Sequence, residues 1–189
     1  MPMSHLLLTW AWTTLYAKIS LFQKPTGIGS YWPLDRWDVR RLDAEELPQL
    51  RACFDHQYWS TIPAISGAVD ACHALAAAGY DLVCVTAIKP QYQAARLKNL
   101  CDCGFPITRV LSTPNTGTAV SPKAAALMEL RPVAFVDDFL LYLRGIPAEI
   151  HAALVLREPN GSPNTGEDLV PAHSQHPHLA AFAEWWLSR

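Results

Sequence analysis

Three short runs constrain this chain more than any other feature: DLVCVT at residues 81–86, VAFV at 133–136 and AALVLRE at 152–158. Each is nearly uninterrupted apolar sequence, rich in β-branched residues and shorter than a buried helix. A strand with one wet face alternates apolar and polar side chains, whereas a strand covered on both faces does not. These runs therefore predict the inner strands of a parallel sheet lying between helices. LLL at 6–8 and ITRVLST at 107–113 supply two further strands. Between them, Ile65, Ala68, Val69, Cys72, Leu75 and Ala76 recur at helical spacing after Pro63 and before Gly79. A second helix is predicted from Pro90 to about Cys101, stopped by Gly104, and a third from Ser121-Pro122-Lys123. Asp43 is placed to cap a further helix running to about Tyr58, and residues 178–187 read as an amphipathic closing helix. The order predicts an α/β, three-layer Rossmann-like parallel sheet with helices on both faces.

The 189 residues suit one domain, with a flap and small helical insert at about 15–62 and a tail at about 159–189. Residues 158–171, EPNGSPNTGEDLVP, read as an exposed loop. A formal charge of −2 gives no general pull toward nucleic acid or an anionic membrane, and neither is expected as a partner. The first residues lack a basic segment and a cleavage site and are too short to span a bilayer. Five cysteines without a C-x-x-C or zinc spacing fit a reduced setting, so a cytoplasmic location is expected. His173, His176 and His178 lie in a polar stretch without cysteine partners and read as a surface loop.

In an open parallel sheet the site lies beyond the carboxyl ends of the strands. The residues there are Thr9 to Thr14 after the first strand, Thr86 after the second, and Asp137-Asp138 at the end of FVDD; Lys123 opens the helix before that strand. A hydroxyl, an ammonium and two carboxylates are thus brought to one edge. Taken singly each has a plainer role: Thr86 as a strand-end cap, Lys123 as a solvated helix residue, and the acid pair as an N-cap plus first-turn charge.

In this order the residues resemble the haloacid dehalogenase superfamily, most of whose members are Mg-dependent phosphatases. VCVT matches its second motif at Thr86, SPK its third at Lys123, and FVDD its fourth at Asp137 and Asp138. The resemblance covers roughly residues 5–156. It implies phosphate binding by Thr86 and Lys123, and Mg binding by the two acids. The first motif departs. The family places D-x-D-x-T after its first strand, the first Asp as nucleophile and metal ligand and the second as general acid-base. Here Thr9, Ala11 and Thr13 occupy the three positions when LLL directly precedes the motif; a shift by one puts Trp10 and Trp12 at the acidic positions instead. Neither register supplies a carboxylate. Trp10 and Trp12 can plug the phosphate entrance as core aromatics or offer a stacking surface to a flat ligand.

The resemblance therefore points to a hydrolase-like scaffold that has lost phosphatase activity and acts as a binding or regulatory module, with Mg held weakly or not at all. An active phosphohydrolase with an atypical mechanism is an alternative, and an unrelated doubly wound binding domain a second. The chain has no spare domain for a substrate cap, so a capless or minimally capped site is expected, open to a phosphate-containing ligand or a protein partner. The aromatic flap, with Phe22, Tyr31, Trp32 and Trp37, is the candidate contact surface.

Overall fold

The computed structural model describes residues 4–8, 43–114, 120–156 and 171–189. The five strands read from the sequence form around the expected runs: β1 (Ser4–Leu8), β2 (Tyr80–Thr86), β3 (Arg109–Ser112), β4 (Ala134–Asp137) and β5 (His151–Val155). A sixth, β6 (Ser174–His176), joins them in the order β3-β2-β1-β4-β5-β6, every neighbouring pair parallel. β1 lies between β2 and β4, with Leu8 opposite Cys84 and Val136.

Both faces of the sheet are covered, as the unbroken apolar runs require. On one face Leu82 and Cys84 of β2, Ala134 and Val136 of β4, and Ala153 of β5 form a core cluster. Against it pack α3 (Ala68–Ala77), through Cys72 and Leu75, and the C-terminal helix α6 (Leu179–Leu187), through Phe182. The alternate residues Val83, Val85, Phe135, Ala152 and Leu154 form the other core with Leu127 of α5 (Ala124–Leu130) and with Leu140 and Leu143 of a 3₁₀ turn (Leu140–Leu143). Successive strand residues point to opposite faces, so one run of five buried residues in β2 serves two cores.

Three local readings are corrected. The helix expected from Asp43 to Tyr58 is two short ones, α1 (Leu47–Ala52) and α2 (His56–Ser60). Asp43 does hold the preceding turn, its Oδ1 accepting from the amides of Glu45 and Glu46. The break comes from Asp55, whose side chain accepts the Tyr58 amide at 2.8 Å and caps α2 from an extended backbone. The helix expected at Pro63 begins at Ala68, because Gly67, at φ +75°, turns the chain through the left-handed region immediately before it. After β2 the chain follows the expected helical course, a 3₁₀ turn (Pro90–Tyr92) leading into α4 (Gln93–Asp102). Lastly, of His173, His176 and His178 only His176 leaves the surface loop; His173 and His178 lie outside strand and helix and are exposed. His176 is a buried member of β6, and His178 caps α6 by accepting the Ala181 amide through Nδ1. A three-residue edge strand carries no apolar run, so SQH left no periodic trace.

A candidate anion site at the carboxyl edge of the sheet

β4 ends in Asp137, and α5 begins after Lys123 on the same face of the sheet. Asp137 shares strand parity with Phe135, so it faces α5, and there the Lys123 Nζ meets its Oδ2 at 2.7 Å. Both side chains are buried, at 3% and 1% exposure. The other oxygen of Asp137 accepts the backbone amide of Phe139 at 2.8 Å, which turns the chain out of the strand. The Lys123 ammonium also lies over the Tyr142 ring, 4.2 Å from its centroid, and 5.8 Å from that of Phe135. Ser121 sets the lysine's approach: its Oγ accepts the Lys123 amide, and its own amide is held by the Arg144 carbonyl. Asp138 stands beside the pair, half-buried.

The end of β2 contributes a different kind of group. Thr86 is buried, and its Oγ1 has no hydrogen-bond partner among the described residues. Its carbonyl, by contrast, gathers the amides of Ile88 at 3.0 Å and Thr113 at 2.9 Å. A buried hydroxyl without a partner costs stability unless something meets it. The structure thus brings Lys123 and Asp137 into contact and leaves Thr86, two strands away across β1, with unused hydrogen-bonding capacity. The motif-one positions Thr9, Ala11 and Thr13 lie outside the described residues.

Mg prefers octahedral oxygen ligation anchored by one or two carboxylates. Asp137 already gives one oxygen to an ammonium and the other to an amide. Among the described residues no group of three His, Cys, Asp or Glu is placed to hold a metal. Residues 9–14, which follow β1, contain no acid. The carboxylates at this edge are Asp137, engaged as described, and Asp138, next to it in the chain. The buried ammonium and hydroxyl at the carboxyl ends of these parallel strands are groups of the kind that can receive an anion.

Two contributors escaped the sequence reading. Thr113 was legible, since it closes ITRVLST as Thr86 closes VCVT, and the same search of strand ends reaches it. Tyr142 left no signal, because a ring five residues beyond a strand can face anywhere. Among the described residues, no helix is long and apolar enough to cross a membrane.

No family model matches the chain, and no curated protein matches it. Solved structures do. A HAD family hydrolase from Deinococcus radiodurans R1, with bound phosphate and sodium, aligns over 98% of this chain and 97% of its own, with 17% identity and a TM-score of 0.56. A dehalogenase solved with an intermediate complex aligns over 78% of this chain and 65% of its own, with 16% identity and a TM-score of 0.53. A D,D-heptose 1,7-bisphosphate phosphatase from B. bronchiseptica, complexed with magnesium and phosphate, aligns over 66% of this chain and 84% of its own, at 17% identity and a TM-score of 0.49. By the alignments at TM-scores of 0.53 and 0.56, the chain has the fold of the dehalogenase and of the HAD family hydrolase.

Proposed function

We propose that this protein binds a phosphate-bearing ligand at the carboxyl edge of its sheet and does not hydrolyse it at phosphatase rates, acting as a binding or regulatory module. The observation that carries this reading is the mismatch between the two halves of the site. On the binding side stand a buried ammonium at Lys123 and a buried hydroxyl at Thr86. The reacting half is missing from the sequence, because β1 ends at Leu8 and is followed by Thr9-Trp10-Ala11-Trp12-Thr13. A threonine hydroxyl at the nucleophile position is neutral and needs an adjacent base. An alanine at the acid-base position carries no proton, and general acid-base help is typically worth about 10²- to 10⁴-fold. The phosphate bound in the Deinococcus hydrolase, which shares this fold, is in keeping with an anion as the ligand.

Two measurements test the reading together. Isothermal titration should show inorganic phosphate binding in the absence of Mg, and Lys123→Met should abolish it. Incubation with p-nitrophenyl phosphate and Mg should release no nitrophenol above a blank. Turnover at ordinary phosphatase rates would overturn the inert-site reading, and failure of phosphate to bind would overturn the anion site.

A further inference from the structure

Beside the anion site lies a cavity of about 590 Å³ that none of the assignments above uses. Its floor is the chain leaving β2 and β3, from Ala87 to Pro90 and from Ser112 to Pro114. Its walls are the rings of Phe54, Tyr58, Trp59 and Tyr92, brought by the turn after α1, by α2 and by the turn before α4. Tyr58 meets Phe54 and Trp59 edge-to-face, each at 5.1 Å between centroids. The Trp59 indole nitrogen donates to the Phe54 carbonyl at 3.2 Å, which fixes that ring against the hairpin between the two helices. Ile62, Ile88 and Ala95 pack behind Trp59, so the wall is anchored in its own small core. Two cations, Arg51 and Lys89, line the cavity and are exposed.

The cavity lining includes neighbours of Thr86, though not Thr86, Lys123 or Asp137 themselves. Thr113 lines the cavity and binds the Thr86 carbonyl through both its amide and its hydroxyl, and Ala87 is the next residue after Thr86. Thr86 is also opposite Ser112 in the register of β2 and β3. Adjacent strands lie about 4.8 Å apart, so a ligand reaching from the cavity to the Thr86 hydroxyl crosses little more than one strand spacing.

We propose that this cavity receives the organic part of the ligand, and that the ligand is an aryl phosphate or phosphonate: a flat aromatic group carrying a phosphoryl anion. The proposal rests on the anion-site reading above and adds the class of molecule. Aromatic walls favour flat rings over sugars, because offset and edge-to-face pairs add attraction beyond the area they bury. A sugar would bring hydroxyls to a surface with few partners for them, and unmet polar groups cost affinity. The volume falls in the range of about 300–1,000 Å³ usual for sites that enclose a small molecule, and it exceeds what a single benzene ring needs. A fused bicyclic ring or a ring with a substituent fills it better. Arg51 and Lys89 add attraction for an anionic guest on approach.

The test compares three probes by isothermal titration against the full chain: 1-naphthylmethylphosphonate, methylphosphonate and 1-naphthylmethanol. The phosphonate C–P bond resists hydrolysis, so binding is read without turnover. The naphthyl phosphonate should bind at least about tenfold more tightly than methylphosphonate, one strong ring contact being worth about that much. Tyr92→Ala, at a half-buried wall position, should remove most of that gain and leave methylphosphonate binding unchanged; Tyr58→Ala provides a second wall variant should the first fail to fold. Equal affinities for the two phosphonates would overturn the aromatic pocket and leave the anion site standing. Binding of neither phosphonate would overturn both. Binding of naphthylmethanol as tightly as the naphthyl phosphonate would overturn the link between the pocket and the anion.

Discussion

Replacing Lys123 by Met is the sharpest perturbation of this molecule. The ammonium lies 2.7 Å from the Asp137 Oδ2, at 3% exposure against 1% for its partner, so water screens neither charge. Methionine keeps the length and apolar stem of the lysine, which limits the change to the loss of one charge. Asp137 then keeps its bond from the Phe139 amide but loses the ammonium that offsets its buried negative charge. Breaking one side of a buried pair typically costs about 3–5 kcal/mol. The ring contact to Tyr142 at 4.2 Å goes as well, but Met sulfur also packs well on rings, so that term is small. With a urea slope of about 2 kcal/mol/M, a loss of about 4 kcal/mol lowers the unfolding midpoint by about 2 M. Lys123→Met combined with Asp137→Leu should recover most of the loss, since an apolar pair of similar volume replaces a buried ion pair at little cost. Urea titrations followed by tryptophan fluorescence measure all three proteins. A single-variant loss below about 1 kcal/mol would refute the argument, because that is what a solvated surface pair is worth.

The pH dependence of stability should carry the signature of His151. Burial first, then His173, Arg189 and His176, lower it from 6.5 to about 4. The unfolded chain therefore takes up a proton on this residue that the folded chain excludes, so stability falls as pH drops from 6.5 to about 4 and this residue adds no further slope below that. His176, also held low by burial, adds to the same trend. His151→Phe should flatten the urea midpoint across that window, and an unchanged slope would show that the cluster's charge is not what limits acid stability. Among the cysteines, Cys53 and Cys101 are exposed and should react with a thiol reagent in the native protein. Cys72, pushed up to about 12 by burial and by Cys84, and Cys84 itself, raised by burial, should react only after unfolding. Mass spectrometry of the labelled chain distinguishes the two groups.

How far the sequence carried the structure depends on how many residues each feature needs to announce itself. β2, β4 and β5 were legible because each needs several consecutive apolar residues, and a doubly covered strand has no polar face to break the run. The sheet edge was legible for a related reason: once strand ends are located, Thr86, Lys123 and Asp137 follow by position. What failed were features set by one residue. Asp55 divides a helix by taking a single amide, and Gly67 delays another by a single positive φ. Neither changes the apolar periodicity on which the longer helices were read. β6 failed for want of length. The aromatic cavity was out of reach because its walls come from segments separated in sequence, Phe54 to Trp59 on one side and Tyr92 on the other.

The Lys123–Asp137 pair also bears on the proposed anion site. A buried ion pair is a poor device for stability, since desolvating two charges uses up most of what their attraction returns. Its geometry instead fixes a cation: the carboxylate and the Tyr142 ring hold the ammonium from two directions, and Ser121 holds the backbone behind it. A cation held in that way is preorganised, so under the proposed function the ligand's phosphoryl group meets it without the cost of ordering a long side chain. The stability series and the binding series therefore separate the two roles. If the apolar double variant folds as well as the parent yet no longer takes up phosphate, the pair serves the ligand and not the fold.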